Sequence, residues 1–465
     1  MPLKTILWAG FFTVAALGAL WNPMLGIVGY VGHYSIGPEG QWWNAPLSPL
    51  RIRYSFTLAA MTAIGVALNW RKLRFGPQFL CRHEKLVLLF LGIVWLSVLI
   101  GAETTGRYTA SGIDHPSVKL TKVIIFTLML THVVTDLRKL DWFIWVLIAG
   151  ALILGLQAWD TPRRAFLRGR LEGVGGPDFS EANFFAAYMA TMLWIIGVQF
   201  LRSGWVGKAF CFIAGAFTAN AIVLTRSRGA MVGLAAGAVA AVLAAPGKLR
   251  LRLALGLVLG GAGFLYLADP QFLHRGSTIT ASEEERDSSA QSRIRLAQAG
   301  VQMVKDHPFG VGAGNFYQTI ENYIPEYKGK DAHNTYVRCA TELGIQGIAL
   351  LFVIIIGGFW LLRRTIRFAE GLPPPLRNQV VLLASGLSCA LATLSACFLT
   401  MSLTYVEFTW WFLLLPVCLS RATRNASALL SPVRRKATGR ADFQVARAGG
   451  PPRRPGTLQR NGCRD

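Results

Sequence analysis

The residues that first suggest chemistry in this sequence are arginines in short segments beside apolar runs. Arg226 and Arg228 lie in LTRSRGA, between two runs that are each about as long as a membrane-crossing helix. A guanidinium presents a planar fork of donors that suits phosphate oxygens, and a helix beginning at Gly229 would add its N-terminal N–H groups. This segment therefore predicts an anion-binding site at a membrane surface.

A second group of arginines lies in the polar segment 159–182. Its members are Arg163, Arg164, Arg168 and Arg170. On the topology that the loop charges indicate, both groups lie on the side of the membrane where few cations are expected. Anion binding would explain them. Alternatively, these side chains snorkel to lipid head groups or pair with acids such as Glu172 and Asp178.

A histidine stands at the end of the longest polar segment, in KDAHNTYVRC. A neutral His333 can accept a proton from a hydroxyl near pH 7, and Asp331 is placed to orient it. A histidine that caps a helix or lies at the membrane interface is an ordinary interpretation of the same residues. From the residues alone, His333 is one of several candidates, together with His33, His115, His274 and His307.

The elements that must position these residues are membrane helices. Of 465 residues, 53% are hydrophobic and 15% charged, against roughly 25% charged in a soluble domain. Backbone inside lipid must satisfy its own hydrogen bonds, which favours helices. We predict about twelve spans. They are 5–33, 53–70, 84–101, 116–135, 140–158, 183–201, 206–225, 229–246, 251–268, 335–361, 378–400 and 403–422.

The distribution of charge predicts the orientation of these spans. Basic residues are concentrated in alternate loops, such as 71–85, and in the tail, which places them in the cytoplasm with the N-terminus. The first span carries Asn22-Pro23 and is either one tilted helix or two half-passes. The net charge of +23 does not indicate nucleic acid, because no compact basic domain is present. The seven cysteines form no CxxC pair and predict neither a metal site nor disulfides.

The predicted fold class is all-α, a polytopic integral membrane protein with one large periplasmic loop. Residues 1–268 hold the first nine spans and 269–334 form the loop. Residues 335–422 hold the last three spans. Residues 423–465, rich in Arg, Pro, Gly and Ala, form a basic, disordered cytoplasmic tail.

The large loop is predicted to contain one helix. Cap-type residues lie at 287–289, and Pro308 with the glycines after it ends the helix. Apolar side chains follow the cap at helical spacing. They are Ile294, Ala297, Val301 and Val304.

Three segments of this sequence occur in the order and spacing of a known family. They are LTRSRGAMVGL, SRIRLAQAGVQMVKDHPFGVGAGNF and DAHNTYVRCATELGIQGIALLF. Together they resemble the signature of the O-antigen ligase/O-antigen polymerase superfamily, over roughly residues 160–365. That superfamily includes lipopolysaccharide O-antigen ligases, O-antigen and exopolysaccharide polymerases, and bacterial protein O-oligosaccharyltransferases.

The resemblance implies a set of site residues. The family's catalytic arginines and histidine match Arg228, Arg293 and His333, with Arg295 a close competitor for the role of Arg293. The expected substrate-binding residues are Arg226, Arg295, Arg168, Arg170, Asn334 and Asn183. The chain departs from the family pattern at Ala182, where proline is usual, and at Ala297, where tryptophan is frequent.

The resemblance also implies a reaction. Family members act on glycans carried by undecaprenyl diphosphate at the periplasmic face of the bacterial inner membrane, and the ligases are thought to need neither metal nor nucleotide. We therefore expect an inverting membrane glycosyltransferase without a cofactor. Its partners would be the lipid-linked donor, membrane lipids and a hydroxyl acceptor on a lipid A core, a glycan or a protein.

Three alternative functions remain. A polymerase of the same superfamily would use another lipid-linked glycan as acceptor. A flippase or transporter of lipid-linked oligosaccharide would carry charged residues deep in its spans. The main charged residues in the spans are Lys119, Lys122, Glu342 and Glu407. A purely structural membrane protein would leave the periplasmic arginines unexplained.

Overall fold

The computed structural model describes residues 2–73, 79–101, 114–167, 169–244 and 288–448, with isolated positions at 112 and between 251 and 266. Its helices are α1 Leu3–Gly18, α2 Pro23–Ile36, α3 Tyr54–Leu68, α4 Arg82–Ile100, α5 Pro116–Val133, α6 Leu137–Asp160, α7 Ala182–Arg202, α8 Trp205–Thr225, α9 Arg228–Ala244, α10 Ser288–Asp306, α11 Phe316–Thr319, α12 Thr335–Ala369, α13 Pro374–Cys397 and α14 Glu407–Ala448. Within this part of the chain, β-pairing is limited to one isolated bridge between Leu167 and Arg170. The predicted all-α fold is confirmed.

The helices are those of a multi-pass membrane protein. Seven described helices are long and apolar enough to cross a membrane: α4 to α8, α12 and α13. The shorter helices α1, α3 and α9 are also apolar. Large apolar side chains such as Leu99, Phe212 and Trp360 point outward from the bundle, as expected of surfaces that face lipid. The predicted span 251–268 lies largely outside the described residues.

The first predicted span, 5–33, folds as two short helices. Asn22 caps α2 by accepting a hydrogen bond from the backbone N–H of Met24, and Pro23 occupies its first position. The two helices have 16 and 14 residues, so each is about 20–24 Å long and shorter than the roughly 30 Å hydrocarbon core. They pack as an antiparallel hairpin, with Gly29 against Ala15. Of the two interpretations left open, the two-helix one is correct.

The beginning of the chain lies at the end of the bundle where α5, α7, α9 and α12 begin, which we call the site face. The Thr5 hydroxyl donates a hydrogen bond to the Trp43 carbonyl. The segment that carries Trp43 continues from Gly37, which packs against Gly175 in the segment before α7. The prediction that the N-terminus lies on the opposite face is therefore wrong. Helices α1 and α2 make two crossings where one was predicted, so the chain begins on the site face. From α3 onward, successive loops lie on alternate sides, as the loop charges predict.

Helix α12 is interrupted at Gly344, where a single uninterrupted span was predicted. Gly344 has φ 74° and ψ −174°, a conformation that essentially only glycine adopts. The glycine-rich segment after α10 fills the break. The N–H of Val311 donates to the Thr341 carbonyl at 2.9 Å, and the N–H of Ile345 donates to the Pro308 carbonyl at 3.0 Å. The break thus anchors the large loop to a membrane helix.

The predicted loop helix corresponds to α10, and its ends agree with the predicted cap and stop signals. The face that it buries differs from the apolar row used to predict it. Leu296, Ala299 and Met303 are buried, whereas Ile294 and Val301 are exposed. Gly300 packs against Val337 and Thr341 at the start of α12. Helix α10 therefore packs on the start of α12 at the site face.

The last helix is longer than the predicted span 403–422. Helix α14 continues to Ala448, through residues whose composition predicts a disordered tail. Residues 423–448 include several alanines and arginines, and these residue types have high helix propensity. Residues 449–465 lie outside the described part of the chain.

Candidate active site

One half of the site is a hydrogen-bonded group formed by the segment before α7 and the turn between α8 and α9. The amide oxygen of Asn183 accepts hydrogen bonds from Nη2 of Arg170 at 2.7 Å and from the hydroxyl of Ser227 at 2.9 Å. Nε of Arg170 donates to the carbonyl of Thr225 at 2.9 Å. The start of α7 and the end of α8 therefore hold the guanidinium of Arg170 in a defined position.

The α8–α9 turn places Arg226 and Arg228 on the site face. Arg226 ends α8 with a left-handed backbone, φ 49°, and its guanidinium donates to the carbonyl of Gly169. Arg228 is the first residue of α9 and is half-buried. The helix therefore begins one residue earlier than predicted, and Arg228 lies at its N-terminus, the end of a helix that favours an anion.

The other half of the site is the segment that leads into α12. His333 has a left-handed backbone, φ 47°, and its side chain is 34% exposed. Asp331 accepts a hydrogen bond from the His333 N–H at 3.3 Å, and its Oδ2 lies 3.6 Å from Nδ1 of the ring. This position suits the orienting role predicted for Asp331, which stays a prediction. Nδ1 faces the carboxylate, so Nε2 is the nitrogen turned away from it.

Asn334 has a structural task in this arrangement. Its amide oxygen accepts hydrogen bonds from the N–H groups of Tyr336 and Val337, at 2.9 and 3.1 Å, and so caps α12. This cap fixes where the helix begins and therefore where His333 lies. A substrate contact by Asn334 stays a prediction.

Both halves of the site pack on the turn between α13 and α14. Gly229 lies against Thr400 and Met401. The hydroxyl of Thr335 donates to the Met401 carbonyl at 2.6 Å and accepts from the N–H of Leu403 at 2.9 Å. Arg228 and His333 are each within two residues of these contacts, so one rigid turn brings the arginine turn and the histidine segment together.

A buried ionic network supports the histidine segment. The guanidinium of Arg338 donates to Asp331 at 3.3 Å and to Glu342 at 3.0 Å. Tyr405 donates to Glu342 at 2.7 Å. The charges of Arg338 and Glu342 are buried, so each needs its partner to offset the loss of water. Arg338 thereby holds the carboxylate that orients His333.

Electrostatics link His333 to the arginines. The pKa of His333 is lowered, first by burial and also by the positive charges of Arg293 and Arg170, while the charge of Asp331 opposes the shift. These arginines are thus close enough to act on the imidazole. A lowered pKa keeps the ring neutral near pH 7, which is the form that accepts a proton.

The structure separates the two competing loop arginines. Arg293 acts electrostatically on His333, and its side chain is half-buried. Arg295 points to the other side of α10, where it pairs with Glu326 at 2.8 Å and stacks on Tyr327. The positions of the two side chains therefore favour Arg293 over Arg295 as the loop arginine of the site.

The other residues considered in the sequence analysis lie outside these contacts. Arg163 and Arg164 are exposed in a short 3-10 turn, and Arg168 lies outside the described residues. Asp178, considered as a partner for arginines, accepts hydrogen bonds from Lys119 and Tyr34. Among the described residues, no three His, Cys, Asp or Glu side chains converge as a metal site would require.

Sequence reasoning missed the network behind His333. Arg338 and Glu342 are spaced as an i, i+4 pair on α12, and that spacing was a usable signal. Tyr405 and Tyr317 come from distant segments, and no local pattern indicates them.

A known protein family matches the part of the chain that carries these site residues. Residues 213–352 match the family described as O-antigen ligase. This part of the chain is similar to an O-antigen ligase domain. The match covers α9, the loop helix α10 and the start of α12, and so includes Arg228, Arg293 and His333.

The O-antigen ligase domain confirms the predicted superfamily. Its members are membrane enzymes of the glycosyltransferase type, ligases or polymerases, that use lipid-linked glycans and acceptors. No curated protein matches the chain.

Proposed function

We propose that the protein transfers a glycan from undecaprenyl diphosphate to an acceptor hydroxyl, with inversion at the anomeric carbon, at the periplasmic face of the bacterial inner membrane. The observation that carries this proposal is that Arg170, Arg293 and the neutral His333 interact on one face of a membrane bundle. Cations beside a base suit a reaction in which an anion leaves while a hydroxyl loses its proton.

The arginines bind the diphosphate. Arg228 and Arg293 grip its oxygens through their planar donor groups, and the first N–H groups of α9 add to them. As the bond between the anomeric carbon and the diphosphate oxygen breaks, negative charge grows on that oxygen. Fixed cations stabilise this charge without reorganisation, which lowers the barrier to leaving.

His333 activates the acceptor. The acceptor oxygen attacks the anomeric carbon from the face opposite the diphosphate, and its proton passes to Nε2 of His333. Asp331 stabilises the imidazolium that forms, because its carboxylate lies beside Nδ1. Arg226, Arg170 and Asn183 support the diphosphate-binding side, where their hydrogen bonds already order the turn.

The experiment that tests this proposal is mass spectrometry of the purified protein with a short glycan on undecaprenyl diphosphate. The mixture contains a panel of hydroxyl acceptors. Release of undecaprenyl diphosphate together with a glycosylated acceptor is the expected result. Passage of intact donor across vesicle bilayers without transfer would contradict the proposal and favour a flippase.

The acceptor decides between ligase and polymerase. Both reactions use the same diphosphate site and the same base, so the residues described here serve either. A product enlarged by one donor glycan on undecaprenyl diphosphate would identify a polymerase. A product on a lipid A core or on a protein hydroxyl would identify a ligase.

A further inference from the structure

Helix α10 has two apolar faces, and among the described residues only one of these faces is buried. Leu296, Ala299 and Met303 are buried against the rest of the loop and α12. Ile294 and Val301 project on another side and are 41% and 56% exposed. A helix at a protein surface normally has one apolar stripe, which packs on the core. A second apolar row, which the described residues leave exposed, needs an apolar partner of its own.

The positions around the helix separate into three sectors, since successive residues are rotated by about 100°. Beside the buried sector lies an outward apolar row, and beyond that lies a polar sector. The outward row consists of Ile294, Ala297, Val301 and Val304. The polar sector consists of Gln291, Arg295, Gln298, Gln302, Lys305 and Asp306. An amphipathic helix with this division suits a boundary between an apolar phase and water.

Exposed apolar residues follow the outward row of α10 along the chain, up to the lipid-facing surface of α12. Phe309, just beyond the end of α10, is 70% exposed. Its carbonyl accepts a hydrogen bond from Gln346 at 2.9 Å. The neighbouring Ile345 is 57% exposed and is the first of the outward apolar residues of α12. The others are Phe352, Val353, Ile356 and Trp360.

We propose that α10 lies on the membrane surface, with its outward row in the acyl chains of the leaflet on the site face. The partner is the bilayer itself, because exposed apolar residues connect the row along the chain with a helix surface that already faces lipid. Arg293 lies at the edge of this row, next to Ile294, so docking would hold its guanidinium at the level of lipid head groups. This inference does not depend on the proposed reaction.

The test places a photoreactive p-benzoylphenylalanine at Val301 or, as a matched control, at Gln302. These adjacent residues lie in the apolar and polar sectors, and both are exposed. Each full-length variant is reconstituted in phosphatidylethanolamine/phosphatidylglycerol vesicles without donor or acceptor, irradiated and analysed by mass spectrometry. We expect at least about fivefold more phospholipid adduct at 301 than at 302. Ile294 and Gln291 repeat the comparison at the other end of the helix.

Equal lipid adduct at the two positions, or none at 301, would overturn the proposal. Crosslinks from 301 to a second copy of the chain would identify a protein interface instead. Adducts that form only after donor is added would show that the row holds the donor's lipid tail and not the bilayer. Gel filtration of each variant against the unsubstituted protein confirms that the comparison is made on folded chains.

Discussion

At the scale of single residues, the charged side chains of the site act on His333 in opposite directions. Arg293 and Arg170 lower the pKa of the imidazole, whereas Asp331 raises it and holds the ring. The sequence indicated His333 and Arg293 because each lies in a short segment that resembles the family signature. Tyr405 comes from a distant segment and reaches the site only through the fold, so no local pattern indicates it together with Arg338 and Glu342.

The two loop arginines make a matched pair for mutation. Arg293→Gln is expected to reduce transfer by roughly 100-fold or more, as does the loss of one charge-stabilising donor in other enzymes. Arg295→Gln removes a solvent-exposed pair with Glu326, which contributes little, and a stacking contact with Tyr327. Both contacts lie on the other side of α10 from Arg293, so the rate of this variant should stay near wild type. Initial rates of both variants at saturating acceptor give the comparison. A larger loss in Arg295→Gln would reverse the assignment.

The pH profile tests the role of Asp331. Transfer needs neutral His333, so the rate should rise with pH through the pKa of His333, which lies below its usual 6.5, and then level off. The charge of Asp331 favours the protonated ring, so Asp331→Asn should lower that pKa further and move the acidic limb to lower pH. The measurement is the transfer rate from pH 4.5 to 8, with Asp306→Asn as the control. If the acidic limb of the pH profile is unchanged in Asp331→Asn, Asp331 does not act on the base.

At the scale of elements, the break in α12 joins the loop to the membrane bundle. Apolar run lengths predicted α12 well, and cap and stop residues predicted both ends of α10. The break was not predicted, because a glycine inside an apolar run has no local signal of its φ. Only the approach of the segment 308–312 to Gly344 requires that conformation.

Gly344→Ala should therefore destabilise the protein. A Cβ at this position would lie 2.5 Å from a backbone carbon of Phe309, and the backbone conformation alone is strained by about 1–3 kcal/mol for other residues. Gly92→Ala in α4 is the control, because nothing lies within 4 Å of its added Cβ and alanine favours a helix. The thermal stability of both variants is measured as the loss of folded monomer on heating in detergent. Equal melting of the two variants would mean that the break is not needed.

At the scale of the whole molecule, the charge pattern predicted the sides of the loops after α3 but not the side of the N-terminus. The signal for the extra crossing was present in Asn22-Pro23, a cap followed by a proline that favours the first turn of a helix. Hydropathy assigns α1 and α2 to a single span because both are apolar and the turn between them is short.

The topology of the N-terminus can be checked with a small epitope tag before Leu3. The structure places this tag on the same side as the segment 325–330, and a tag after Ala448 on the opposite side. Impermeant antibody added to sealed right-side-out vesicles should therefore reach a tag before Leu3 and one inserted at Gly329, but not the C-terminal tag. Protection of the N-terminal tag would contradict the hairpin arrangement.

The central claim is that His333 is the base that activates the acceptor, and its most direct test is single-turnover transfer by His333→Ala. The account predicts a loss of roughly 100-fold or more from removal of a general base, with the membrane level, melting behaviour and donor binding of the wild type. Transfer by His333→Ala within a few-fold of wild type would contradict it and return the role of base to another group on the site face.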